Sequence, residues 1–132
     1  MVIIEEIKKE LEEDTKVDEL NLLEKQLRLP AIKHKWVARL IEQKRYLYSL
    51  DKKRKTIRAA VYASYEREGI PPGIPKTALD RKIEESEAIQ KIDEEMVNAK
   101  LVIEYLEKVE SIFRSMTYDL KNIIEINKLE TT

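Results

Sequence analysis

The 132-residue sequence predicts an all-α fold, and three observations carry that prediction. The strong helix breakers fall almost entirely in one stretch, EGIPPGIPK, which holds both glycines, Gly69 and Gly73, and three of the four prolines, Pro71, Pro72 and Pro75. Elsewhere Leu, Ile, Glu, Lys and Arg dominate, all good or acceptable helix formers. No segment sustains the alternation of apolar and polar residues that a half-buried strand requires.

The elements follow in chain order. Ile3, Ile4, Ile7 and Leu11 recur at helical spacing and predict a short acidic amphipathic helix. Asp18 is placed to cap a second helix carrying Leu20, Leu23 and Leu27, which Pro30 should end, because proline removes a backbone donor and its ring clashes with the preceding turn. From Ala31 to Arg67, the positions Trp36, Leu40, Gln43, Leu47, Leu50, Arg54, Ile57, Val61 and Ser64 step by fours and threes. That is a heptad seam with two long polar side chains inside it. Residues 68–77 form a Pro/Gly hinge, after which Thr77 with Asp80 resembles a capping box opening a last helical segment that reaches Lys128.

That last segment carries a stripe of Ile92, Met96, Ala99, Ile103, Leu106, Val109, Phe113, Met116, Leu120, Ile123 and Asn127, and its drift admits a break near Ser86 or Asn98. A second apolar set, Val102, Tyr105, Ile112, Ile124 and Ile126, lies away from the stripe. One helical hairpin cannot cover both, so self-assembly is expected. Ile103, Leu106, Val109, Phe113, Leu120 and Ile123 are the candidate oligomerisation residues, with Phe113 and Leu120 as anchors. The expected organisation is one domain with acidic N-terminal helices over 1–29, a long basic helix over 30–67, the hinge over 68–77 and oligomerisation helices over 78–132.

Composition excludes several classes of function. The 25 basic and 26 acidic side chains leave a net charge of −1, which rules out a uniformly cationic nucleic-acid coat. The absence of cysteine removes disulfide scaffolds, thiol catalysis and thiolate metal sites. No apolar run approaches the roughly 20 residues of a bilayer-spanning helix, so a soluble cytosolic protein with no membrane partner is expected. His34 is the only histidine, and Glu84, Glu85, Glu87, Glu94, Glu95, Glu104 and Glu107 lack the Glu-x-x-His pairs of carboxylate-bridged metal bundles. Neither glycine is followed by a lysine at phosphate-loop spacing. No catalytic residue, metal or cofactor is therefore expected, and the protein should not be an enzyme.

Neutrality hides a segregation of charge. Residues 1–32 hold 5 basic and 9 acidic side chains, residues 33–67 hold 11 and 3, and residues 78–132 hold 8 and 13. At about 100° per residue, Lys44, Lys55, Tyr62, Tyr48, Lys52 and Arg45 fall in one arc of the basic helix, with Arg58 bordering it toward the seam. Cations that neutralise phosphates, interleaved with phenol rings on which unstacked bases can lie, suit a single-stranded nucleic acid. Duplex readout would need a groove-fitting motif, and none is visible. The same cations can instead pair with acidic neighbouring helices, making this a purely structural coiled-coil adaptor with no nucleic-acid role.

The Lys35–Trp36 pair, the basic run KRYLYSLDKKRKTIRAAVYASYEREG, the short hinge and the Ser86–Glu87 pair beyond it resemble the UvsY-type recombination mediators of T4-like bacteriophages. The likeness covers the chain from Pro30 onward. It implies a non-enzymatic protein that binds single-stranded DNA as a ring-like homo-oligomer, a hexamer or heptamer, in the cytoplasm of the infected host. It also implies contacts with the phage recombinase and the phage single-strand-binding protein, the second being replaced by the first. Family members carry a Lys-x-Arg pair just before the hinge, but ungapped alignment puts Ala59 and Val61 there. The expected DNA contacts therefore move to Lys52, Lys53, Lys55 and Arg58, beside Lys44, Arg45, Tyr48 and Tyr62.

Overall fold

The computed structural model describes residues 3–18, 20–70 and 73–131. Among them are four helices, α1 (Ile4–Thr15), α2 (Leu22–Glu68), α3 (Lys76–Glu84) and α4 (Glu87–Thr131), and no strand. Pro71 and Pro72 of the expected hinge lie outside the described residues.

The expected first helix forms, with Ile7 and Leu11 buried and Ile3 as its extended N-cap. Asp18 organises the turn before the second helix and does not cap the helix itself. Its Oδ1 accepts from the backbone N–H groups of Leu20 and Asn21 at 2.9 Å each, Asn21 Oδ1 accepts from the N–H of Asp18 at 2.7 Å, and the Asn21 carbonyl takes the first helical bond, from the N–H of Lys25 at 2.8 Å. The expected break at Pro30 does not occur. Leu22, Leu29, Trp36, Gln43 and Leu50 are all buried and recur every seventh residue, so one heptad seam runs straight through the proline. Pro30 and Gln26, whose carbonyl loses its partner, are both exposed, which leaves that carbonyl open to water. The same register overturns the expected Leu20, Leu23 and Leu27 stripe. These side chains are 98%, 65% and 73% exposed, because Leu22 and Leu29 take the inward positions instead.

Helix α2 ends at Gly69, whose φ of +86° is reached by few residues other than glycine. Gly73 has the same φ. Helix α3 starts earlier than the Thr77 box implies. Pro75, with φ −62° and ψ 147°, is its N-cap, and no side chain caps it. The Pro75 carbonyl accepts from the N–H groups of Ala78 and Leu79 instead. Of the two possible later breaks the chain takes the one at Ser86, whose Oγ donates to the Ile83 carbonyl at 2.6 Å.

The linear four-part division gives way to two compact units, Met1–Gln43 with Val102–Thr132, and Lys44–Leu101, each long helix contributing a part to both. In the first unit, α1, the early part of α2 and the late part of α4 enclose Ile7, Leu11, Leu22, Leu29, Trp36, Val102, Leu106, Val109, Phe113, Met116 and Leu120. The Trp36 and Phe113 rings tilt at 34° with centroids 6.3 Å apart. In the second unit Leu50, Ile92 and Ala99 form the core, with Tyr46, Leu47, Ile57 and Met96 packed against it.

Val102, assigned by periodicity to the second apolar set, is fully buried in the seam, and Ile103 is half-buried. Leu106, Val109, Phe113 and Leu120, expected to join copies of the chain, are already buried in the chain's own first unit. Ile112, Ile123 and Ile126 remain exposed.

Candidate nucleic-acid interface

The second unit displays the basic part of α2. Its seam positions Leu47, Leu50, Arg54, Ile57 and Val61 face inward, so residues half a turn away must face solvent. Lys44, Arg45, Tyr48, Lys52, Lys53, Lys55 and Tyr62 are all exposed. Lys52 Nζ lies 4.8 Å from the centroid of the Tyr48 ring, which joins a cation and a flat apolar surface in a single unit. Lys55 meets Asp51 at 3.5 Å one turn away, but both side chains are well exposed, and pairs of that kind add little and are readily screened. The Tyr62 hydroxyl is bonded to Glu66, which raises its pKa above the ordinary phenol value and keeps the ring neutral.

Arg58 is different. Its guanidinium is held by Glu84 and by Asp80 at 3.2 Å, so it does not stand on the open face with the lysines. Arg54 is drawn in the same way, with Nε donating to Asp93 at 2.7 Å and a terminal nitrogen to Glu84. The bond to Asp93, reinforced by Glu84 and opposed by burial, raises the Arg54 pKa. Glu84 thus bridges two guanidiniums and ties α3 to α2. These two arginines pair with acidic side chains of neighbouring helices. For Arg45, Lys52, Lys53 and Lys55 no such carboxylate clamp from α3 or α4 is present among the described residues.

The first unit holds a cluster that sequence reasoning did not assemble. Lys35 Nζ meets Asp14 at 2.5 Å and Glu10 at 3.1 Å, Arg39 binds Glu10, and the Trp36 Nε1–H donates to Asp14 at 2.8 Å. Arg39 bonds Glu10 strongly enough, with help from Lys35 and against burial, to lower its pKa from 4.5. Burial alone would lower the Lys35 pKa, but its bonds to Asp14 and Glu10 outweigh that and raise it. The segregation of acidic from basic segments signalled such pairing in general terms, yet only the fold selects which carboxylate meets which cation. No metal-ligating group of three or more acidic or histidine side chains occurs among the described residues.

A family model described as recombination, repair and ssDNA binding protein UvsY matches residues 10–132. The chain belongs to the UvsY family. The resemblance carried by Lys35–Trp36 and the basic run is thereby borne out, and the family is one of recombination mediators that bind single-stranded DNA. A crystal structure of the bacteriophage T4 recombination mediator protein UvsY in lattice type II aligns over 100% of both chains with a TM-score of 0.80 at 15% identity. Lattice type IV aligns over 98% of this chain and 99% of that one, with a TM-score of 0.82 at 14% identity. At such low identity the likeness establishes the UvsY fold. No curated protein matches the chain. No described helix is long and apolar enough to cross a membrane.

Proposed function

We propose that this UvsY-family protein binds single-stranded DNA along the exposed face of α2 formed by Lys44, Arg45, Tyr48, Lys52, Lys53, Lys55 and Tyr62. As a homo-oligomeric ring, it would use that binding to help load a phage strand-exchange recombinase onto DNA covered by single-strand-binding protein, in the cytoplasm of the host. The observation that carries the reading is the partition of cations on α2. Arg54 and Arg58 are tied to α3 and α4 carboxylates, whereas Arg45, Lys52, Lys53 and Lys55 reach outward beside exposed tyrosine rings. Such a face neutralises phosphates and offers every base the same stacking surface, so it reads the backbone and not the sequence.

Mediation then follows from multivalency. One protomer engaging three or four phosphates binds weakly, but a closed oligomer raises the effective concentration of the remaining sites and holds an extended strand for the recombinase. Apolar side chains left exposed in the first unit, Ile112, Ile123 and Ile126, are the surface proposed to join copies.

The test is a salt titration of a labelled unstructured oligonucleotide. Each protomer should give a log–log slope of about −2 to −3, at about −0.7 per phosphate. Recombinase filaments should also form faster on DNA saturated with single-strand-binding protein when this protein is added. Binding that ignores salt, or no binding, refutes the reading.

A further inference from the structure

The Lys35–Trp36–Arg39 cluster is built like a nucleic-acid site with its anions already in place. Lys35 Nζ and the Arg39 guanidinium carbon lie 5.4 Å and 4.9 Å from the Trp36 ring centroid, and the indole N–H points at a carboxylate. Three donors and one aromatic system converge there. Their ligands, Glu10 and Asp14, sit one turn apart on α1 and present a short row of anionic oxygens, as a phosphate backbone does. Helix α1 carries six acidic and two basic side chains and buries only Ile7 and Leu11. The Lys35 and Arg39 side chains keep 36% and 35% of their exposure, so water and other anions already reach them.

We propose that Glu10 and Asp14 of α1 occupy a second phosphate-binding site, made by Lys35, Arg39 and the Trp36 N–H, and that single-stranded DNA takes this site when α1 lifts. The proposal rests on the single-strand reading of the protein and adds to it an acidic cover that competes with the strand. Because α1 is part of the same chain, its carboxylates are present at high effective concentration and hold the site closed until DNA is already engaged elsewhere.

The experiment compares the full-length wild type with Glu10→Gln/Asp14→Asn, and with Glu5→Gln/Glu12→Gln as a control of equal charge change on exposed positions of the same helix. Circular dichroism verifies that all three fold. The first variant should bind oligo(dT) several-fold tighter at low salt, with a slope steeper by about 0.7 to 1.4 for one or two added phosphates, and the control should match the wild type. Adding Lys35→Gln/Arg39→Gln to the first variant should cancel the gain. Trp36 is the only tryptophan, so its emission should also respond to oligo(dT) in the first variant. Equal gains in the variant and the control, or no gain with an unresponsive Trp36, overturn the proposal. So does a Trp36 response to polyglutamate and none to DNA, which would assign the site to an acidic protein segment. Failure of the single-strand reading itself shows separately, as absence of salt-dependent binding by the wild type.

Discussion

Lys52 and Arg58 lie on the same helix but have different surroundings, and the difference is testable at single positions. Lys52→Gln, Lys53→Gln and Lys55→Gln together should flatten the salt slope of DNA binding by about 2, at about 0.7 per phosphate, and leave the thermal midpoint close to wild type. Arg58→Gln should do the reverse. It leaves Asp80 without its cation and Glu84 with Arg54 alone, so the midpoint should fall while the slope holds, and a strong loss of DNA affinity from Arg58→Gln alone would put that side chain back on the binding face. Glu10 gives a pH dependence. It faces Lys35 and Arg39, with Asp14 one turn away on its own helix. Its pKa is lowered on folding, so the stabilisation it provides is complete above its ordinary value of 4.5 and is lost as pH falls through the depressed folded value. Trp36 emission should accordingly stay constant at neutral pH and shift to the red only below 4.5. A shift centred near pH 6 would mean that another group controls the contact.

At the scale of elements, Pro30 and Gly69 make opposite predictions about alanine. Proline inside a helix is about 3 kcal/mol worse than alanine, and α2 runs through Pro30 because Leu22 and Leu29 on one side and Trp36 on the other are anchored in one core. Pro30→Ala should therefore stabilise the protein by about 1–3 kcal/mol in urea unfolding. Gly69→Ala should cost about 1 kcal/mol, although nothing lies within 4 Å of the added methyl group, since the cost comes from the left-handed backbone alone. Finding that Pro30→Ala destabilises would mean that the proline sets a bend on which α2 depends.

For the whole molecule, the question is which apolar surface belongs to the fold and which to assembly. Phe113 is 2% exposed and packed on Trp36, so Phe113→Ala should lower stability by about 3–5 kcal/mol and should not act as a clean dissociating variant. Ile123 and Ile126 are 41% and 53% exposed. Ile123→Glu with Ile126→Glu should leave helicity and melting intact while lowering the mass seen by light scattering. An unchanged mass would remove this end of α4 from the assembly surface.

The all-helical class, the presence of α1, the polar turn of Asp18 ahead of α2 and the seam from Trp36 to Ser64 were legible in the sequence, because they depend on spacing along one chain and on local hydrogen bonds. The family was legible for a related reason, since Lys35–Trp36 and the basic run are contiguous. Three things required the tertiary structure. Pro30 did not end a helix, because a core contacting both sides of it outweighs a local penalty. Val102 exchanged places with Ile103, because a drifting stripe leaves the inward register open until a neighbouring helix occupies it. The cations of α2 separated into clamped and open ones because α3 and α4 carry Asp80, Glu84 and Asp93 to Arg54 and Arg58. Periodicity assigns a charge to a face of a helix, but an ion pair needs atoms distant in sequence to meet within a few ångströms, and only the packing of helices brings them there.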